Sequence, residues 1–282
     1  MATQTTLQTS FASTPTSDAV FTAKANPPRP SALSAVATFT WRAMLKIKHV
    51  PMQLFDVTVF PVILTLTFTY LFGGALGGSI EQYLYDFLPG ILVMIITTIS
   101  MYTALALNTD ISKGIFDRFR ALPFWRPAII VGALFGDGVR YLVAAVVMVL
   151  LGLIIGFRPQ AGVIGVIGAV ATTLIFAFSL SWVWTIFGLL MKTPESVMGV
   201  TGMIVFPLSF ASNIFVDIST MPSWLQTLVN LNPITHATTV SRGLMHGTLT
   251  VDQFAAMLLS CVILIAVFAP ISMYLFYNKG KG

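Results

Sequence analysis

Charged residues, the groups best able to do chemistry or to bind a partner, are concentrated in the segment 110–126 of this chain. The segment contains six of them: Asp110, Lys113, Asp117, Arg118, Arg120 and Arg126. Asp110 and Lys113 are three residues apart and can pair on a short helix, and the same holds for Asp117 and Arg120. Apolar side chains lie between them: Ile115, Phe116, Phe119 and Leu122. The pattern predicts either a short amphipathic helix suited to docking on another protein, or an ordinary solvated basic loop.

Residues for bond-making chemistry are not arranged in any constellation that would indicate an enzyme. The sequence contains no G-x-x-x-x-G-K-[ST] motif, so it cannot hold a nucleotide with the usual phosphate loop. The histidines His49, His236 and His246 lie in different regions, and the spacing of the last two is not a metal signature. No G-x-S-x-G motif, cysteine–histidine set or carboxylate pair indicates a nucleophile. We predict no catalytic, cofactor or metal site.

The composition places the chain in a membrane rather than in water. Hydrophobic residues make up 56% of the 282 residues and charged residues only 9%, whereas soluble domains carry about 25% charged residues. The net charge of +5 does not indicate nucleic acid as a partner, because the basic residues lie between apolar runs rather than beside stacking aromatics. The single cysteine, Cys261, excludes an intrachain disulfide and is interpreted as a small core residue.

Six apolar segments are long enough to cross the hydrocarbon core, which takes about 20 residues of helix. They cover residues 53–76, 83–108, 128–156, 162–191, 197–215 and 254–277. We therefore predict an all-α membrane protein with six transmembrane helices. Residues 1–33, rich in Thr, Ser, Ala and Pro, are predicted to be a flexible cytoplasmic tail, and residues 34–282 to be one transmembrane domain.

Basic residues fix the predicted orientation, because Lys and Arg in short loops are retained on the cytoplasmic side. With both termini in the cytoplasm, all but three of the 15 basic residues face inward. Arg158 and Arg242 face outward, and Arg140 lies within the third span. Lipid-facing helices crossing the membrane several times, with both termini cytoplasmic, are the expected arrangement.

Residues 34–50, before the first span, place apolar side chains at helical spacing opposite a basic face. Trp41 belongs to the apolar side, and Arg42 and Lys46 belong to the basic side. The pattern predicts an N-terminal interfacial helix on the cytoplasmic leaflet. The alternative is a positively charged flank that only orients the first span.

Three ionisable residues lie near or within predicted spans. Asp137 and Arg140 are three residues apart and can neutralise one another as a structural pair, although ionisable groups inside a membrane are also functional candidates. Asp56 lies near the cytoplasmic end of the first span, where a basic residue or a lipid headgroup can satisfy its charge.

The segment 216–251, between the fifth and sixth spans, is too long for a tight turn and too irregular for a span. Pro222 and Pro233 both suit the start of a helix, and residues 224–231 and 235–246 are predicted to form two short helices. We expect these helices on the extracellular side, partly re-entering the outer leaflet where protein buries the breaks.

Two blocks of sequence resemble the type-2 ABC permeases, particularly the daunorubicin-resistance branch of drug and lipid exporters. The first is DISKGIFDRFRALP at 110–123, which resembles the charged turn of that family after the second span. The second contains PLSFASN at 207–213, STMPSWLQ at 219–226 and NPITH at 232–236, followed by Arg242 and Gly243. Their order on a six-span hydropathy pattern makes the resemblance specific over almost the whole chain after residue 33.

The resemblance implies a role for each of these segments. The segment 110–123 would be a cytoplasmic coupling helix in a cleft of a separate ATPase subunit, with contacts from Asp110, Lys113, Phe116, Asp117, Arg118, Phe119 and Arg120. The interfacial helix residues Trp41, Arg42 and Lys46 would flank that contact, and residues 192–195 would make a lesser one. The short extracellular helices would close an outer gate that includes Met221, Trp224, Asn232, Pro233, His236 and Arg242.

The resemblance also implies the partners and the activity. The chain would be the permease of an ATP-driven exporter in a bacterial-type inner membrane, and the ATPase partner would bind ATP and Mg²⁺. A transport pathway needs two permeases, so a homodimer or a paralogous heterodimer is expected, with a hydrophobic or amphipathic cargo. His236 stands where relatives often have a large hydrophobic residue or tyrosine, which raises the alternative of a pH-sensitive gate. The alternative functions are an ion-coupled secondary transporter and a membrane scaffold without transport.

Overall fold

The structure is a computed structural model in which every described element is a helix. It describes residues 31–49, 51–76, 78–115, 125 and 127–279, with only the backbone at 46–49, 51–54, 56–57 and 75–76. The predicted tail therefore lies almost wholly outside the described residues, as do the side chains of Lys46 and Asp56. No strand occurs in the part of the chain that is described.

Ten α-helices account for most of the described residues. In chain order they are α1 (Ala32–His49), α2 (Pro51–Leu76), α3 (Ile80–Ser100), α4 (Tyr102–Ser112), α5 (Ala128–Ile155), α6 (Gly162–Leu190), α7 (Pro194–Phe210), α8 (Ser223–Leu231), α9 (Pro233–His246) and α10 (Val251–Asn278). A 3₁₀ turn, Ile218–Thr220, precedes α8.

Four stretches among the described residues are long and apolar enough to cross a membrane. They are α3 with α4 as Ile80–Ser112, then α5, α6 and α10. The prediction of an all-α membrane protein is confirmed in this form. Two further apolar helices are shorter. Thr58–Gly74, part of α2, lies within the first predicted span, and Pro194–Phe210, which is α7, overlaps the fifth. A count of six spans remains a prediction.

The second predicted span, 83–108, is not one regular helix. It is divided at Met101, whose N–H donates to Thr98 O at 3.3 Å, so the helical turn tightens there. Ser100 stands beside the break and accepts a hydrogen bond from Trp184 Nε1 of α6 at 2.7 Å. The break is therefore held by a neighbouring helix, as irregular backbone inside a membrane requires.

The bundle is built around α3. In the most apolar stretch of α3 and α4, 78% of the residues are buried, whereas in that of α10 only 11% are buried. Helices α2, α5, α6 and α9 pack on α3, and α10 packs on α6 and α9 from outside. Because α3 and α4 together touch most other helices, a displacement of this central span must be accommodated by all of them.

Helix α1 packs closely on α5 through two glycines one turn apart. A Cβ added at Gly132 would lie 2.4 Å from Cβ of Phe39, and one added at Gly136 would lie 2.3 Å from Cβ of Ala43. Such a Gly-x-x-x-Gly spacing lets two helix backbones approach within a membrane. The predicted N-terminal helix therefore exists, and one of its faces is engaged by α5 while Trp41 is 62% exposed.

A buried polar network joins α4, α5 and α6. Arg140 Nη1 lies 3.1 Å from Asp137 Oδ1, and Thr103 Oγ1 donates to Asp137 Oδ2 at 2.6 Å. Tyr141 continues the chain, with its hydroxyl 3.0 Å from Thr103 Oγ1 and 2.9 Å from Ser181 Oγ. Both charges of the predicted intramembrane pair are thus placed together, in a site where an unneutralised charge would be costly.

Gly136→Ala and Gly138→Ala test the packing of α1 on α5 with a single methyl group. Nothing lies within 4 Å of a Cβ at Gly138, so it is the matched control. We expect Gly136→Ala to lower the free energy of unfolding by about 1–3 kcal/mol through overpacking. Gly138→Ala should leave it unchanged or raise it by up to about 1 kcal/mol through helix propensity. Thermal unfolding in mild detergent measures both, and equal shifts would contradict the close approach.

Asp137→Asn tests whether the buried pair holds the bundle together. The variant leaves the guanidinium of Arg140 buried without its carboxylate, which should cost about 3–5 kcal/mol of unfolding free energy. The double variant Asp137→Leu with Arg140→Met removes both charges and should recover most of that loss. Unfolding curves in detergent compare the three proteins. An Asp137→Asn protein as stable as the unsubstituted chain would show that the pair has no structural role.

Candidate functional sites at the two ends of the helices

We call the end of the bundle that carries residues 110–115 the inner end, and the end that carries α8 and α9 the outer end. At the inner end, Asp110 Oδ2 lies 3.3 Å from Arg42 Nη2 of α1. The carboxylate thus pairs with Arg42 rather than with Lys113, which is exposed just beyond α4. The structure therefore joins one residue of the predicted coupling segment to one of the predicted interfacial helix.

The rest of the predicted coupling surface lies outside the described residues. It consists of Phe116, Asp117, Arg118, Phe119 and Arg120. What is described is the helical base from which this segment continues, α4 and the residues up to Ile115. A movement of the segment would be passed first to α4 and then to the helices that contact α4.

The inner ion pair and the buried ion pair face one small cavity. The cavity has a volume of about 50 Å³, lies between α1, α4 and α5, and is lined by Arg42, Asp110, Asp137 and Arg140 among others. Two positive and two negative groups therefore surround a space that holds little more than a water molecule. Their formal charges cancel.

Asn108 fastens the inner end of α4 to α6. Its Nδ2 donates to Gly188 O at 3.0 Å and to Met191 O at 2.8 Å, two carbonyls at the C-terminal end of α6. A Cβ at Gly188 would lie 2.7 Å from Ala104 O, so the two helices are in backbone contact. The predicted lesser contact, 192–195, follows at once, with Thr193 capping α7. Sequence reasoning missed Asn108, whose signal is an amide at the end of an apolar span.

Asn232 organises the outer end. Its Oδ1 accepts the N–H of Ile234 at 2.9 Å and so caps α9, in which Pro233 occupies the first turn. Its Nδ2 donates to Leu208 O and Ala211 O, both at 2.6 Å, at the end of α7. One side chain thus satisfies the start of one helix and the end of another. This explains why α7 ends at Phe210, before the predicted boundary at residue 215.

Arg242 attaches α9 to the start of α3. Its Nε and Nη2 donate to Asp86 O at 3.2 and 3.1 Å, and Nη2 also donates to Asn213 O at 3.2 Å. Burial lowers the pKa of the guanidinium, and the carboxylates of Asp86 and Asp217 oppose this. Arg242 was selected from the sequence, whereas its carbonyl partners could not be, because every residue has a carbonyl.

His246 makes a second attachment between α9 and α3. Its Nε2 lies 3.1 Å from Tyr85 O, and its ring stacks on that of Tyr85 with centroids 3.8 Å apart. Burial lowers the pKa of His246, and the Tyr85 carbonyl opposes this. Burial also lowers the pKa of the half-buried His236. Because burial lowers their pKa values, both imidazoles are mainly neutral at neutral pH. The predicted gate residue His236 is therefore uncharged at that pH.

The remaining predicted gate residues lie on or before α8. Met221 precedes the helix and its carbonyl accepts a hydrogen bond from Gln226 Nε2 at 2.8 Å. Trp224 is 66% exposed in the first turn. Helices α8 and α9 match the predicted short helices, 224–231 and 235–246, closely. Among the described residues, no group of His, Cys, Asp and Glu could hold a metal ion.

Comparison with known proteins gives a family. Residues 34–246 match the model of the ABC-2 type transporter. The chain is 48% identical, over 92% of each protein, to the daunorubicin resistance ABC transporter permease protein DrrB1 of Streptomyces coeruleorubidus. It is 25% identical, over 63% of the chain and 64% of the relative, to a probable doxorubicin resistance ABC transporter permease protein, DrrC, of Mycobacterium tuberculosis.

A more distant relative is the putative transport permease ycf38 of Cyanophora paradoxa, 27% identical over 69% of this chain and 68% of that protein. The resemblance seen in the two sequence blocks is thereby confirmed. ABC permeases are not themselves catalytic, which agrees with the reading of the chain as a non-enzyme. This chain belongs to the ABC-2 type transporter family and is a membrane permease homologous to drug resistance ABC transporter permeases.

Proposed function

We propose that the chain is the permease subunit of an ATP-driven exporter that moves a hydrophobic or amphipathic compound, such as a drug, an antibiotic or a lipid, out of the cytoplasm or the inner leaflet. The observation that carries the proposal is the family match across 34–246, together with 48% identity to a daunorubicin resistance permease. Separate ATPase subunits bind ATP and Mg²⁺ and hydrolyse the ATP. This chain supplies the path.

Coupling begins at the segment 110–123, which docks into the ATPase subunit. When ATP binding draws the ATPase subunits together, the segment moves and α4 moves with it. Asp110 holds α1 through Arg42, and Asn108 holds the end of α6. The three helices therefore respond as one body, which is how hydrolysis outside the membrane can favour one of two packings of the bundle.

The outer end provides the gate. Helix α9 is fixed to α3 by Arg242 and His246, and to the end of α7 by Asn232. Met221 precedes α8 and Trp224 is exposed in its first turn. The gate opens or closes at this turn. Since these attachments hold α9 to two other helices, opening the gate displaces α3, α7 and α9 together.

The pathway forms between two permeases, as a homodimer or a paralogous heterodimer, in a bacterial-type inner membrane with both termini in the cytoplasm. The support for this orientation is the excess of basic residues on one side. Support for an apolar cargo comes from the described spans, where Asp137 and Arg140 neutralise each other. An ion-coupled transporter would need a buried acid available to a proton or a metal cation.

Charge reversal at Arg118 and Arg120 tests the coupling assignment. The variant Arg118→Glu with Arg120→Glu should fail to retain the ATPase subunit in a pull-down under mild detergent, because its docking surface changes sign. Permease-stimulated ATP hydrolysis should fall at least tenfold while the amount of permease in the membrane stays the same. Arg29→Glu, in the predicted cytoplasmic tail, is the control and should behave like the unsubstituted chain. Unchanged stimulation in the double variant would refute the assignment.

A further inference from the structure

A pocket of about 470 Å³ lies at the inner end, where α4, α6 and α10 finish. These helices end at Ser112, Leu190 and Asn278, which are also the ends of three of the four stretches able to cross a membrane. Helices α6 and α10 have 29 and 28 residues and are about 43 Å long. A bilayer with its headgroup regions is about 40–45 Å thick. The pocket is therefore at the depth of lipid headgroups.

The charged residues that line the pocket are two lysines. Lys192 comes just after α6, and Lys279 comes directly after α10. Among the described residues, neither lysine forms an ion pair and no carboxylate lines the pocket. Asp110, at the same end of the bundle, is paired with Arg42 of α1 instead. The pocket thus has two positive charges to offer an anionic guest.

The carbonyls at the end of α6 would oppose an anion if they were free, because the C-terminus of a helix carries a partial negative charge. Gly188 O and Met191 O, however, accept hydrogen bonds from Asn108 Nδ2. Leu189 O accepts one from the ammonium of Lys279. An ammonium group has three hydrogens to donate, so Lys279 can bind Leu189 and an anion together. Partial burial lowers the pKa of Lys279, and an adjacent anion would oppose that change.

Most of the other residues that line the pocket are apolar. They include Ile111, Leu190 and Leu275, one from each of the three helices. Leu190 is 53% exposed, so the apolar lining reaches the surface of the bundle. Tyr274 and Tyr277, in the last turns of α10, are exposed as well, and tyrosine is enriched at the headgroup level of membranes. An amphiphile with an anionic head matches this combination of lysines and apolar surface.

We propose that this pocket binds an anionic glycerophospholipid. Lys192 and Lys279 bind its phosphate, and the apolar lining contacts its acyl chains. The ATPase subunit is the competing occupant, because residues 192–195 are a predicted lesser contact for it. The depth of the pocket and its apolar lining favour the lipid. The inference does not rest on the proposed function, since it requires only that the chain spans a membrane.

Phosphatidylglycerol and phosphatidylcholine with the same acyl chains are a matched pair of probes, because both contain a phosphate but only the first has a net charge. Native mass spectrometry of the delipidated permease in neutral detergent measures how much of each lipid binds. We expect one phosphatidylglycerol per chain, bound about fivefold or more tightly than phosphatidylcholine. Glycerophosphoglycerol, the same headgroup without acyl chains, should not bind at the concentration that saturates the lipid.

The variant Lys192→Gln with Lys279→Gln should weaken phosphatidylglycerol binding about tenfold or more, since each lysine near an anionic headgroup contributes a factor of about five. Glutamine at position 279 can still donate to Leu189 O. Lys192→Gln alone changes only an exposed side chain and should weaken binding about threefold or more. Lys113→Gln is the matched control, because Lys113 is an exposed lysine at the same end that does not line the pocket.

The control should bind phosphatidylglycerol like the unsubstituted chain. The proposal is overturned if the two lipids bind equally, if the control loses as much affinity as the double variant, or if the free headgroup binds as well as the lipid. It is also overturned if the double variant keeps the lipid but no longer captures the ATPase subunit, because the lysines then contact protein. The lipid measurement contains no ATPase, so its outcome is separate from that of the coupling test.

Discussion

A polar backbone group or a charge inside a bilayer must find its partner within the protein, and this constraint shapes the helix ends and the helix break at Met101. Helix α6 ends where Asn108 and Lys279 donate to its last carbonyls, on Gly188, Met191 and Leu189. Helix α7 ends, and α9 begins, at the side chain of Asn232. The helix breaks are thus also the places where helices are tied together, since the group that satisfies one helix belongs to another.

These ties give the two ends of the bundle different capacities. At the inner end, the pair of Arg42 and Asp110 joins α1 to the base of the proposed coupling segment, next to a small cavity whose charges cancel. At the outer end, Arg242 donates to the carbonyls of Asp86 and Asn213, and its guanidinium shares a cavity with two carboxylates, those of Asp86 and Asp217. The inner cavity is therefore lined by equal numbers of positive and negative groups, whereas the outer cavity has one more carboxylate than guanidinium.

Hydropathy and charge were enough to predict the helical membrane class, the short outer helices and the Asp137–Arg140 pairing, because these depend on composition and on local spacing. The pairing of Asp110 with Arg42 could not be predicted, since Arg42 lies 68 positions away in the sequence and only packing brings it near. The break at Met101 was missed for the same reason, because Trp184 of α6 holds it in place. Only one of the two contacts of Asn232 could be predicted from the sequence. The Asn-Pro pair indicates the start of a helix, but not the hydrogen bonds of Asn232 to the last carbonyls of α7.

The central claim is that α1 and α4 move as one body during coupling, and a charge exchange between Arg42 and Asp110 tests it most directly. Asp110→Arg alone places two cations side by side, while Arg42→Asp with Asp110→Arg restores the pair with its sense reversed. Permease-stimulated ATP hydrolysis by the assembled complex is the measurement. The account predicts a loss of severalfold in the single variant and recovery of more than half in the double variant. A double variant as impaired as the single one, or a single variant without effect, would contradict it.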